Sequence, residues 1–499
     1  MFGERPDIEE LAATRWDVIV IGGGITGAGV LLEAARRGRN ALLLEQKDFA
    51  WGTSSRSSKM VHGGLRYIAQ GDFRLTRDAL RERERMLREL PGLVIRQTYA
   101  FLVRHGEFPG RWPLTAVLWL YDFLAGIRDR RWIGRKELLE RLPGLSPDRL
   151  GGAMIYTDAL TDDARLVFRI LHEAASEGGR LANYMRVESV RAQGARFQLQ
   201  VRDELCGKQA VFEAATVIDA AGAWAEAVSG ESGKIRPLRG SHLFFERDSL
   251  PTDDCITVPH PRDKRPVFIF PWAGMTVVGT TDLDHKEPLS EEPRCTREEL
   301  DYLLELIRHV FPSAGITSAD VVSAMAGVRP VIASGKGLNP SQESREHSIW
   351  LHDGMVCVAG GKLTTFRLIA LDALHAAGLI GEAELKAAKR AAGPLFRRKL
   401  TFPHGLGHPA LPLPKGEALL DTVEWVLGNE MVVHLDDLLL RRVRLGNTMP
   451  AGAQEVLPRI KSLCQSRLGW DEPRWHAETE RYLKIVAECY RVAEGAGAQ

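Results

Sequence analysis

The run Asp17-Val-Ile-Val-Ile-Gly-Gly-Gly-Ile-Thr-Gly27 sends an apolar strand straight into glycines at 22, 24 and 27, and the unit closes on Leu42-Leu-Leu-Glu45. This is the strand-turn-helix spacing of a dinucleotide site. The chain must turn sharply at Gly22, the backbone at Gly24 must approach a pyrophosphate, and Gly27 must let the next helix lie against the strand. A helix predicted over residues 25–37, with Ile25 and Thr26 in its first turn, points its free amides and positive dipole end at the phosphates. Glu45 can accept from ribose hydroxyls and would repel a 2′-phosphate, which argues against NADP. A bare glycine turn also fits any tight strand-helix connection. The apolar strand before it, the small-residue helix after it and the acid closing the second strand favour a nucleotide, with NAD and FAD both open.

A chain of 499 residues with 44% hydrophobic content can bury two domains, or one large domain with an appendage. With 66 Lys plus Arg against 65 Asp plus Glu, the formal charge of +1 gives no global reason to bind nucleic acid. The six cysteines are scattered singly, without CxxC or metal-type spacing, and read as reduced packing residues with no metal. The first fifteen residues carry Glu4, Asp7, Glu9 and Glu10 and lack an apolar run, so no signal peptide and a cytoplasmic location are expected. No stretch has the uninterrupted apolar length needed to cross a bilayer. Residues 112–127 come nearest, with one charge, central aromatics and basic flanks at Arg111, Arg128, Arg130 and Arg131. They read either as a buried helix under the cap of a substrate domain or as a helix lying in a membrane interface.

The hydroxyl-rich loop after the first unit, with Thr53, Ser54, Ser55, Ser58 and Lys59, reads as the rest of a pyrophosphate cradle or, equally on residue type, as a solvated loop. An amphipathic helix follows over 73–90, its Arg and Glu residues facing solvent. The alternation over 186–201 predicts antiparallel strands. A second apolar strand from Thr216 ends in small residues, Ala221 and Gly222, which let it sit against a flavin or adenosine. Residues 237–340 are strand-rich, and 350–377 return to the first layer, where Gly360-Gly361-Lys362-Leu363-Thr364 opens a helix. Only one complete GxGxxG is present, so no second dinucleotide domain feeds in electrons and reduction must come from a bound substrate. FAD then fits better than NAD. The expected fold is α/β: a Rossmann-like FAD-binding domain of the glycine-oxidase/glutathione-reductase-2 type (14–100, 151–236, 346–382), interleaved with a cap insertion (101–150) and a mixed-sheet substrate domain (237–345). A linker (383–416) and a C-terminal helical domain (417–499) follow.

Several motifs are specific. Ile21-Gly-Gly-Gly-Ile-Thr-Gly-Ala-Gly29, Thr53-Ser-Ser-Arg-Ser-Ser-Lys59, His62-Gly-Gly-Leu-Arg-Tyr67, Arg239-Gly-Ser-His242, Gly279-Thr-Thr-Asp282, Gly327-Val-Arg-Pro330, Arg345 and Gly360-Gly-Lys-Leu-Thr-Thr365 together resemble the FAD-dependent, respiratory glycerol-3-phosphate dehydrogenases. The resemblance covers residues 16 to about 375, with a weaker stretch at 434–446. Arg239 stands where some relatives carry Lys.

The resemblance implies sn-glycerol 3-phosphate as substrate, oxidised at C2 to dihydroxyacetone phosphate, with a membrane quinone as electron acceptor. It also implies peripheral contact with the inner face of a membrane and leaves room for a homodimer. Arg66, Tyr67, Arg329 and Arg345 become candidate substrate-binding residues, since guanidinium forks suit phosphate oxygens. His242 is favoured as the base, with His62 assigned to flavin or loop contacts. Lys362 and Arg329 join the catalytic set, Lys362 as the group that offsets charge on the reduced flavin. The cofactor residues are Gly22, Gly24, Ile25, Thr26, Gly27, Glu45, Thr53, Ser54, Ser55, Ser58, Lys59, His62, Gly63, Gly64, Ala221, Gly222, Gly361, Lys362, Leu363 and Thr364. Competing readings are an oxidase that uses oxygen, an amine or amino-acid oxidase of the same fold, and a non-catalytic flavin-bound membrane adaptor.

Overall fold

A computed structural model describes residues 2–65, 68, 71–335, 343, 346–391 and 393–492. Arg66, Tyr67 and Arg345 lie outside the described residues. The strands Arg15–Ile21 and Ala41–Leu44 are apolar and buried nearly throughout, as strands covered on both faces must be. They form the parallel centre of a sheet of eight described strands, in which Arg15–Ile21 lies between Ala41–Leu44 and Gln209–Asp219. Arg180–Ala182 extends the parallel order on one side and Met355–Gly360 on the other, and His347–His352 adds an antiparallel edge. The expected alternating segment forms the antiparallel pair Met185–Gln193 and Arg196–Asp203, which hangs from the first half of Gln209–Asp219. The helix Ile25–Ala35 packs between Asp163–Ser176 and Phe366–Ala376 on one face.

The second sheet has ten described strands and is antiparallel except where Cys255–Pro259 runs parallel to Val94–Arg104. Its long strands Ile235–Glu246 and Val321–Ile332 are in register, with His242 opposite Met325 and Leu238 opposite Arg329. Val94–Arg104 and Leu150–Thr161 belong to this sheet, so residues 101–150 start and finish within it. Helix Arg297–Val310 covers its outer face through Leu303, Leu306 and Ile307.

The stretch read as a linker lies against the body. It begins in helix Glu382–Arg390 and buries Leu395, Phe396, Phe402 and Leu406. The C-terminal helices share one apolar core with the first sheet and its helices: Leu439, Trp475 and Tyr482 belong to the same cluster as Val18 and Leu31. Helix Phe73–Glu89 departs from its expected solvent face at two positions. Arg83 is buried on Asp158 at 2.5 Å, and Glu82 is buried on Arg367 at 2.6 and 2.9 Å, so both charges face partners instead of water.

A candidate dinucleotide and substrate site

One elongated cavity of about 1500 Å³ runs from the glycine turn to the second sheet. That exceeds the roughly 300–1,000 Å³ of ordinary small-molecule pockets, as a two-nucleotide cofactor together with a substrate requires. Its near end is built by Gly22, whose φ of +105° favours glycine and whose missing Cβ would stand 2.7 Å from the Ala220 carbonyl. A Cβ at Gly27 would overlap the Gly22 carbonyl, so both glycines are needed for the strand and helix to meet. Gly24 caps the helix without a side chain, and the Ile25 N–H is met at 2.9 Å by Ser54 Oγ. Gly22, Gly24, Ile25, Thr26, Thr53 and Ser54 all line the cavity.

Glu45 also lines it, and its carboxylate accepts the Gly23 and Lys47 N–H groups at 2.6 and 2.8 Å. Burial raises its pKa, against the pull of those two amides. Opposite, Gln209–Asp219 ends in Ala220, Ala221 and Gly222, all on the cavity wall. The buried Asp219 accepts the Ala221 N–H at 2.9 Å, and burial lifts its pKa to about 7. A strap over this half is pinned where Trp224 Nε1–H donates to Leu289 O at 2.9 Å and Lys47 Nζ donates to Ser290 O at 3.0 Å.

At the far end His62, Gly64, Gly361, Lys362, Leu363 and Thr364 line the cavity. Gly360 and Gly361 have φ of +77° and +79°, which turns Lys362 back toward the His62–Gly64 segment. Lys362 Nζ donates to Gly63 O at 3.3 Å, and the His62 N–H to Thr364 Oγ1 at 3.3 Å.

On the second sheet, Arg329 faces the cavity from Val321–Ile332. Its Nη1 donates to Asp282 Oδ1 at 2.9 Å and its Nη2 to Thr280 Oγ1 at 2.8 Å. A Cβ at Gly240 would overlap the guanidinium, so the glycine of Arg239-Gly-Ser-His makes room for it. His242 is fully buried behind the wall and reaches the cavity through Ser58, whose Oγ lies 2.9 Å from Nε2. Burial, with the Arg329 and Lys59 charges nearby, pushes its pKa down to about 3, so the ring is neutral.

Ser55, Lys59, Gly27 and Gly63 are not on the cavity wall. Lys59 is buried with its Nζ 2.9 Å from Asp163, where burial and Arg444 press its pKa down to about 8. The Ser55 carbonyl accepts from Lys59 and Arg444 at 3.3 and 2.9 Å. Asp282, Thr280, Tyr121 and Asp158 carry no functional signal in the sequence. Asp282 and Thr280 lie in Gly279-Thr-Thr-Asp282, but nothing local distinguishes an acid that seats a guanidinium from one that faces water. Among the described residues no cluster of His, Cys, Asp or Glu is placed to hold a metal, and no helix is long and apolar enough to cross a membrane. Helix Arg111–Ala125 is neither wholly buried nor wholly exposed: Leu114, Leu118 and Tyr121 face inward, while Trp112, Trp119 and Phe123 face out.

The model of the family described as FAD dependent oxidoreductase matches residues 17–370, so the glycine-built cleft and the two sheets are those of a flavin-dependent oxidoreductase. The C-terminal domain of alpha-glycerophosphate oxidase is a second family match, over residues 409–475. The chain belongs to the FAD-dependent glycerol-3-phosphate dehydrogenase family. It is 36% identical over 373 residues to the aerobic glycerol-3-phosphate dehydrogenase of Bacillus subtilis, covering 73% of this chain and 67% of that one. It is 34% identical over 379 residues to the enzyme of the same name from Staphylococcus aureus, with the same coverage. Among solved structures, the glycerol-3-phosphate dehydrogenase from Bacillus halodurans complexed with FAD aligns over 96% of both chains, at TM-score 0.72 and 25% identity. Glycine oxidase from Geobacillus kaustophilus shares the fold, at TM-score 0.56 and 22% identity, over 74% of this chain and 96% of that one. The fold class and the cofactor expected from the sequence both hold.

Proposed function

We propose that the chain oxidises sn-glycerol 3-phosphate at C2 to dihydroxyacetone phosphate and passes the electrons to a membrane quinone. The names of its relatives suggest the substrate. The observation that carries the reading is the Arg329 guanidinium, seated by Asp282 and Thr280 on the wall of a cavity that Lys362 and Ser58 also line. A planar fork fixed in this way presents its donors to a phosphate without reorganising. Arg66, Tyr67 and Arg345 complete the clamp in this reading.

Bound FAD supplies the hydride acceptor, its N5. The protein supplies the route for the proton. As the C2 hydride leaves, the alcohol proton passes to Ser58 Oγ while the Ser58 proton moves to the neutral His242 Nε2, 2.9 Å away. Lys362 offsets the negative charge left on the ring. The glycine turn, Ser54, Ala221 and Gly222 hold the dinucleotide, and Glu45 meets its ribose.

Helix Arg111–Ala125 supports the membrane half of the reading. It turns Leu114 and Val117 into the same cavity and presents Trp112, Trp119 and Phe123 outward, beside the 80% exposed Phe108 and the basic Arg111 and Arg131. An apolar face rimmed by cations suits the cytoplasmic surface of an anionic membrane, with the quinone entering beneath the helix.

Adding glycerol 3-phosphate to the purified flavoprotein without oxygen should bleach the flavin absorbance, and an unchanged spectrum would sink the substrate assignment. Bleaching by sarcosine or glycine instead would indicate an amine oxidase of the same fold. The C-terminal match to alpha-glycerophosphate oxidase favours one second reading, in which oxygen is the acceptor. Reoxidation as fast by oxygen as by a short-chain quinone would select it.

A further inference from the structure

Helix Arg111–Ala125 does more than border the cavity. Near its end, the buried Tyr121 turns inward and accepts the Gly63 N–H at 2.9 Å. Its own proton is shared between the two oxygens of Asp158, at 2.8 and 2.7 Å. Asp158 is held from behind by Arg83, at 2.5 Å, and Arg83 is fixed by donating to Thr157 O at 3.1 Å. Each of these side chains is buried. On its other side the same Gly63 residue offers its carbonyl to Lys362 Nζ at 3.3 Å. Residue 63 must be glycine for this contact, since an added Cβ would meet Leu80 at 2.7 Å and Tyr121 Oη at 2.8 Å.

We infer that Tyr121 is a positioning residue for Lys362, acting through the Gly63 backbone, so that the seating of helix Arg111–Ala125 sets where the lysine charge stands at the ring end of the cavity. The inference rests on the proposed function only in assigning Lys362 to the reduced ring. A phenol that both accepts from a backbone N–H and donates to a buried carboxylate has a single hydroxyl geometry, which makes it a rigid strut between two elements. Without it the Gly63 N–H loses the phenol oxygen and falls back on the Asp158 carboxylate, which shifts the peptide whose carbonyl receives Lys362.

The test is the reduction potential of the bound flavin, measured by dye equilibration without substrate, in the parent, Tyr121→Phe, Lys362→Met and the double variant. Tyr121→Phe keeps the ring and removes only the hydroxyl. The reduced form should become about tenfold less favoured, a fall of about 30 mV for a two-electron couple. In the Lys362→Met background the same change should have less than a twofold effect, because the group it positions is gone. FAD affinity, read by fluorescence on dilution, should stay within threefold of the parent. Equal shifts in both backgrounds, or an unchanged potential in Tyr121→Phe, would overturn the inference. If Tyr121→Phe does not hold FAD, Arg83→Lys loosens Asp158 from behind and should give a smaller shift of the same sign that again vanishes with Lys362→Met. Its persistence there would count against the inference equally. Failure of glycerol 3-phosphate to bleach the parent flavin would refute the substrate reading and leave these potentials unaffected.

Discussion

Arg329 and Asp282 lie 2.9 Å apart, Nη1 to Oδ1, the arginine on strand Val321–Ile332 and the acid in the loop before Leu283–Asp284, and the Arg329 side chain keeps 19% of its surface exposed. Asp282 therefore orients the fork, with Thr281 O accepting from the same nitrogen at 3.3 Å, and Thr280 Oγ1 fixes the other nitrogen.

Arg329→Ala should mainly weaken substrate binding. Charge-assisted hydrogen bonds of about 1.5–3 kcal/mol correspond to a KM for glycerol 3-phosphate raised by roughly 10- to 100-fold, with a smaller effect on flavin reduction at saturation. Arg329→Lys should recover only part of this, since a point charge cannot span Asp282, Thr280 and a phosphate together. Steady-state and stopped-flow kinetics separate the two effects, and a loss confined to kcat would refute the assignment.

His242→Ala should slow flavin reduction in the bound complex by roughly 10²–10⁴-fold, the usual range for a lost proton acceptor, with substrate affinity little changed. With the imidazole pushed down to about 3, its neutral form persists throughout the range from pH 5 to 9. No inflection from His242 should appear in the reduction rate there. An inflection near pH 6.5 that disappears in the variant would place the ring in water instead.

Asp219 makes stability depend on pH. Its folded pKa of about 7 lies above the ordinary carboxyl value of 3.8, so between those limits the folded protein holds a proton that the unfolded chain has released. Stability from this group is therefore lost as pH rises from about 4 to 7, by about 4 kcal/mol at the upper end. Asp219→Asn keeps an acceptor for the Ala221 N–H and cannot ionise. Its melting temperature relative to the parent should rise between pH 5 and pH 8, and a pH-independent difference would show that the carboxyl is not buried as described.

Trp119 and Phe123 stack with ring centroids 5.8 Å apart on the outer face of their helix. Replacing both by Ser removes two large apolar side chains worth about 1.5–3 kcal/mol each when buried. Binding to vesicles containing anionic phospholipid, followed by sedimentation, should weaken by at least roughly tenfold, while reduction of the flavin by glycerol 3-phosphate in solution is unaffected. Equal vesicle binding by parent and variant would remove this helix from any membrane contact.

The nucleotide end was legible because its requirements are local: Gly22, Gly24 and Gly27 are demanded by one turn, and Glu45 by the strand beside it. Of the second sheet only the strand-rich part over 237–340 was legible, from its apolar runs; the strands Val94–Arg104 and Leu150–Thr161 and the long-range pairing were not. What the sequence could not reveal were charges whose partners are remote. Arg83 sits in a helix that looks solvated, yet it is buried on an acid 75 positions away. Tyr121 lies within an apolar run, where its hydroxyl gives no sign that it will meet Gly63, 58 positions earlier. His242 illustrates the same limit: its motif marked it, but not that Ser58 would stand between it and the cavity. Within the expected C-terminal helical domain, a wider π-turn over Asp437–Arg442 aims Arg441 and Arg442 at Asp48 at 2.6 and 2.8 Å.

Asp48 follows Glu45 by three residues, and its neutralising arginines arrive 393 and 394 positions later. A buried carboxylate without its cations is strongly destabilising, so the loop after Ala41–Leu44 should not settle while those arginines are missing. During synthesis from the N-terminus, the glycine turn emerges early but must wait for nearly the whole polypeptide before its neighbouring loop is neutralised. Stable cofactor capture is then expected late in synthesis, and a chain truncated before Arg441 should bind FAD more weakly than the full chain.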